Sequence, residues 1–119
     1  MSETNTADRT LTVFMLVKTT PEWLGIPVEE RIKIARHTLQ PLFDEFHNRL
    51  RLKWYDVEFY TARITDVWMI EAEDHQSYQL FCEKLRETPF WDRYFRVEEI
   101  LPGEENAWAK NYEIDPLRS

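Results

Sequence analysis

The apolar positions of this chain switch repeatedly between strand-like and helix-like spacing. Leu11 to Val17 (LTVFMLV) is a nearly continuous apolar run of strand length, suited to the centre of a sheet. Thr19-Thr20-Pro21 ends it, and Glu22 to Ile26 reads as a short aromatic connection. Ile32, Ala35, Leu39, Leu42, Phe43, Phe46 and Leu50 then recur at threes and fours, which predicts an amphipathic helix from about Pro27 to Asn48. Pro41 lacks an N–H for the carbonyl of His37, so a kink or break is expected near Thr38 to Gln40. Arg51 to Thr61 (RLKWYDVEFYT) reads as a second strand whose alternation changes phase near Trp54. A hairpin turn follows over residues 62–65.

The next stretch is punctuated most clearly. Trp68 to Ala72 reads as a strand, Asp74 as a helix N-cap, and Tyr78, Phe81, Cys82 and Leu85 as one apolar helix stripe. Pro89 blocks its continuation, and Tyr94 to Leu101 is predicted as the last strand, closed by a turn at Pro102-Gly103. The order strand–helix–strand–strand–helix–strand predicts an α+β, ferredoxin-like βαββαβ fold: a four-stranded antiparallel sheet with two helices on one face. The other face stays bare, with Phe14, Leu16 and Trp54 expected there. A homodimer packing two such sheets together, as in a dimeric α/β-barrel, is the economical way to cover them. The expected divisions are a disordered polar lead over residues 1–9, the domain over 10–103, and a tail over 104–119 whose Trp108 and Tyr112 pack on the domain or a partner.

Composition narrows the function. A formal net charge of −7 argues against nucleic acid and against anionic membrane surfaces. No run approaches the roughly 20 apolar residues of a membrane span, and the polar start lacks the features of a signal peptide, so a cytoplasmic protein is expected. Only two glycines are present, and no phosphate-binding loop, nucleophile elbow or paired-cysteine motif occurs. Cys82, the single cysteine, reads as a small core residue. His37, His47 and His75 have no ligand-type neighbours at useful spacing, so neither a metal nor a cofactor is expected.

Two groups of residues carry candidate chemistry. Asp56 and Glu58 share one parity of the second strand with Trp54 and Tyr60. In a dry interior they would serve as a general base and its partner, aided by Tyr55; on an open strand they would be solvated or paired with Arg51, Lys53 or Arg63. Trp54, Tyr60, Trp68 and Trp23 are candidates to line a pocket for a planar or apolar molecule, against the alternative of core or dimer packing. Arg63 and Asp66 flank the predicted hairpin and are expected to bridge across it.

The runs TVFMLVKTTPEWL (Thr12 to Leu24), YDVEFY (Tyr55 to Tyr60), Thr65-Asp66-Val67, LRETPFW (Leu85 to Trp91) and YFRVEEILPGEENAW (Tyr94 to Trp108) resemble the darcynin family of small bacterial proteins. The likeness covers roughly residues 10–109 and implies the fold without implying an activity. The pattern is also similar to dimeric α/β-barrel proteins, a group with cofactor-free monooxygenases, isomerases and heme-binding members, though fold likeness does not transfer chemistry. The leading expectation is a homodimer that binds a small apolar or aromatic molecule in a barrel pocket. Its rivals are a cofactor-independent monooxygenase or isomerase using Asp56 or Glu58 as base, and a non-enzymatic assembly protein.

Overall fold

A computed structural model describes residues 11–118; the polar lead expected over residues 1–9 lies outside them. The elements run β1 (Leu11–Thr19), α1 (Pro21–Leu24), α2 (Val28–Thr38), α3 (Gln40–Glu45), β2 (Leu50–Asp56), β3 (Asp66–Ala72), α4 (His75–Arg86), β4 (Phe95–Gly103) and α5 (Ala107–Tyr112). The four strands form one antiparallel sheet in the order β2-β3-β1-β4. This is the ferredoxin-like arrangement the sequence predicts.

Alternation fixes which residues face the helices. Val13, Met15 and Val17 of β1 and Trp68, Ile70 and Ala72 of β3 are buried there, joined by Leu50 of β2 and Phe95 of β4. From above, α3 and α4 contribute Leu42, Phe46, Phe81 and Leu85. Asp74 caps α4 as expected, its carboxylate accepting from the Ser77 N–H at 2.7 Å. The long first helix divides at Leu39, where the missing N–H of Pro41 predicts an interruption, giving α2 and α3.

Three expectations change. First, β2 stops at Asp56, and residues 57–65 form a closed loop in which the Val57 N–H donates to the Thr65 carbonyl at 2.8 Å. Second, Pro102 lies within β4, not in a turn: β4 is an edge strand, where a missing N–H is tolerated. Third, Trp54 belongs to the helix side of the sheet, against Trp68, because its parity on β2 matches that of Leu50 and Leu52. Leu16 does lie on the other face, yet it is buried. The 57–65 loop is anchored across that end of the face by Lys18 Nζ donating to the Ala62 carbonyl (3.0 Å) and by an Arg63–Glu99 ion pair (3.6 Å). Ile64 of the same loop is also buried. Among the described residues no helix is long and apolar enough to cross a membrane.

Candidate functional site

At one end of the sheet, on its helix side, the last residues of β1 and β2 meet the first residues of β3 and β4. Thr19, Asp56, Asp66 and Phe95 come together there, and α1 and α2 close over them with Trp23, Leu24 and Arg31. Trp54, Glu58 and Thr65 complete the walls of a cavity of about 600 Å³. It lies beneath the helices, on the opposite side of the sheet from the face that would line an inter-sheet barrel.

One wall is a connected series of rings. Trp23 meets Phe95 at 5.5 Å between centroids, Phe95 meets Trp54 at 5.7 Å, and both contact the buried Trp68, at 5.4 and 5.2 Å. Trp23 is held from behind by Phe90 and Tyr94. The Thr20 side chain caps the short helix that carries it, accepting from the Trp23 N–H. Trp23 is therefore fixed both by its backbone and by its packing.

Beside the rings stand three carboxyl groups. Asp56, Glu58 and Asp66 each offer an oxygen, all within 4.8 Å of one another. Asp56 and Asp66 are direct cross-strand partners. Asp66 is only 5% exposed, whereas Asp56 and Glu58 are open to solvent. Asp66 accepts from Trp54 Nε1 at 2.8 Å and from the Thr65 hydroxyl, which in turn accepts from the Thr19 N–H at 2.9 Å. Burial raises the Asp66 pKa above its ordinary value. The hydrogen bonds from Thr65 and Trp54 oppose that shift, while a hydrogen bond with Asp56 and the charge of Glu58 reinforce it. Asp66 thus favours its protonated form more than a free carboxyl group does, at the wall of the cavity.

Of the residues singled out in the sequence, Asp56, Glu58, Trp54 and Trp23 converge on this cavity. Trp68 lies behind the wall in the core, its indole N–H without a partner among the described residues. Tyr55 projects from the opposite face of β2, and Tyr60 sits 86% exposed on the 57–65 loop, so neither joins the others. The sequence assigns Asp66 only a structural bridge to Arg63 and gives Arg31, Thr65 and Phe95 no part in a site. Asp66 pairs with Trp54 and Thr65 instead of Arg63, which binds Glu99. Its parity with Trp68 and Ile70 was the available signal. Arg31 is held by its Nε donating to the Ile26 carbonyl at 2.9 Å.

His37, His47 and His75 are exposed and do not line the cavity, which therefore presents no imidazole to a heme iron. Cys82 is half-buried, and burial pushes its thiol up, in keeping with a packing role.

The darcynin family model, described as a domain of unknown function, matches residues 1–119. A darcynin homolog of Granulibacter bethesdensis is 58% identical over 102 residues, covering 86% of this chain and 82% of that protein. One from Streptomyces avermitilis is 51% identical over 107 residues, covering 90% and 88%. Among solved structures, chlorite dismutase from Candidatus Nitrospira defluvii in complex with imidazole superposes with a TM-score of 0.69 at 15% identity, over 80% of this chain. The match spans 39% of the dismutase chain, so it shows a shared fold and nothing further.

Proposed function

This chain belongs to the darcynin family, and from the cavity's geometry we propose that it binds a small organic molecule with an apolar or aromatic body. The observation that carries this reading is the ring wall of Trp23, Trp54 and Phe95 beside a cluster of carboxyl groups in one cavity of about 600 Å³. Ligand sites are typically concave, largely apolar and furnished with a few convergent polar groups, and this cavity has each feature. We further propose that the protein works as a homodimer through the bare face of the sheet. The test is a ligand screen read by melting temperature, since a molecule that binds only the folded state must stabilise it, by about 2.7 kcal/mol at a hundredfold excess over Kd. A hit whose effect disappears in Trp54→Leu supports the cavity. A broad library of aromatic compounds that never moves the transition defeats the reading.

A second reading is favoured by the cross-strand pairing of Asp56 with Asp66 on the cavity wall, with Glu58 within 4.8 Å of both. Proton abstraction from a bound carbon acid is a step common to isomerases and cofactor-independent monooxygenases, and Asp56 on the cavity wall, with Glu58 beside it, would be the base. Deuterium exchange into a bound ligand, lost in Asp56→Asn, would favour it over binding alone. Binding without exchange leaves the first reading.

A further inference from the structure

We propose that the molecule this cavity takes is an organic cation, a protonated primary or secondary amine on an apolar or aromatic body. The inference deepens the binding reading above and rests on it.

The argument begins with a count of unspent hydrogen-bonding capacity. The donors near the acidic cluster are already committed: Trp54 Nε1 and the Thr65 hydroxyl both donate to Asp66, and the Thr19 N–H donates to Thr65. Arg31 spends its Nε–H on the Ile26 carbonyl and keeps its two terminal amino groups, the cavity's one cationic set of donors. At the acidic cluster itself, what remains open is acceptor capacity, on the exposed carboxylates of Asp56 and Glu58. A ligand that satisfies those oxygens must bring its own N–H or O–H groups. An ammonium brings two or three, with the charge that makes each bond to a carboxylate shorter and stronger.

Charge points the same way. Three carboxyl groups and a single guanidinium line the cavity, in a chain of formal net charge −7. An anionic guest would meet like charge at the wall and a repelling field on approach, and a cation the reverse. The rings decide between an organic cation and a bare metal ion. A metal ion held by the carboxylates would make no use of the apolar surface that Trp23, Trp54 and Phe95 contribute to the cavity lining. An ammonium on an apolar body uses both walls, because indole faces attract cations within about 6 Å of the ring centroid and the rings bury the body. The bond from Trp54 to Asp66 fixes that indole beside the acidic cluster before any ligand arrives.

The test uses three probes of nearly the same shape: 2-phenylethylamine, 2-phenylethanol and 3-phenylpropanoate. Each is titrated near neutral pH, with calorimetry for affinity and the tryptophan indole N–H resonances for position. The amine should bind about tenfold or more tightly than the alcohol or the acid, and should move the Trp54 indole resonance. Glu58→Gln, a change on an exposed side chain, should weaken the amine about fivefold or more while leaving the alcohol unchanged. An alcohol or acid that binds as tightly as the amine overturns the cation assignment and leaves the cavity reading standing. Failure of all three probes to move any indole resonance at millimolar concentration overturns both. Titration with manganese(II) gives the remaining outcome: a metal that broadens the Trp54 signal where the amine has no effect assigns the carboxylates to a metal ion and overturns the proposal.

Discussion

Asp66 occupies a position in β3 whose alternate neighbours, Trp68, Ile70 and Ala72, are all core residues. A carboxyl group there loses most of its water, and burial outweighs the two hydrogen bonds that favour its charged form. The groups facing it are Asp56 and Glu58, the Thr65 hydroxyl and the Trp54 indole, with Arg31 on the same cavity. Because the folded-state pKa is raised, the folded protein holds a proton that the unfolded chain has released. Stability from this group is therefore complete below its ordinary value of 3.8 and declines as pH climbs through the raised value. Asp74 and Glu22, whose values are lowered by Ser77 and Arg93, slope the opposite way, so a raw stability profile mixes the two. The clean measurement is the difference in unfolding free energy between the protein and Asp66→Asn, followed with urea from acid to neutral pH. The advantage of Asp66 over Asn should shrink as pH rises. A difference that stays flat would show that folding leaves the Asp66 pKa unshifted, and one that grows would show it lowered.

Among the elements, α3 and α4 are joined chiefly through rings: Phe81 of α4 packs edge-on against Phe46 at 5.7 Å and lies stacked near Phe43 at 6.4 Å. Phe81 and Phe46 are both buried, so Phe81→Leu, which keeps most of the volume, should cost about 1.5 kcal/mol or less. A double-mutant cycle with Phe46→Leu should return a coupling of about 0.5–1.5 kcal/mol, since edge-to-face pairs contribute beyond their buried area. Additive effects in denaturant unfolding would mean that the two helices are held by area alone. These helices were legible in the sequence because their signals are local: the cap at Asp74, the interruption set by Pro41, the stripe through Phe81 and Leu85. The end of β2 was not legible, although Tyr55, Val57 and Phe59 alternate like a strand. A strand requires a neighbour, and the β2–β3 register ends at Asp56 opposite Asp66, a fact that no residue of 57–61 encodes. The site divides along the same line. Parity on β2 put Asp56 with Trp54, whereas Arg31 and Phe95 come from distant elements that only the closed sheet brings together.

On the scale of the whole molecule, the cavity and the bare sheet face lie on opposite sides of one sheet, and this separation makes the proposed dimer testable apart from ligand binding. The registers set three rows across the face: Arg51–Glu71–Thr12–Gly103, Lys53–Met69–Phe14–Leu101 and Tyr55–Val67–Leu16–Glu99. Phe14 is 39% exposed, Leu101 44% and Tyr55 49%, so apolar side chains stand open on the face, while Arg51, Lys53, Glu71 and Glu99 place charge around them. An apolar centre with a polar rim is the anatomy of a protein interface. Phe14 sits in the central row between Met69 and Leu101, where truncation or charge costs an interface most. Phe14→Glu places a carboxylate on a half-exposed position, so the fold tolerates it, while a second copy brought against that face meets two buried charges. Sedimentation velocity over a concentration series should find the protein dimeric and Phe14→Glu monomeric, with dimer affinity reduced by about 2 kcal/mol or more, roughly thirtyfold. The same variant should bind any cavity ligand with unchanged affinity, because the cavity is walled by the helix side of the sheet. A wild-type protein that sediments as a monomer at every concentration refutes the dimer. Loss of ligand binding together with dimerisation would instead mean that the two faces of the sheet are coupled through Phe14 and its neighbours.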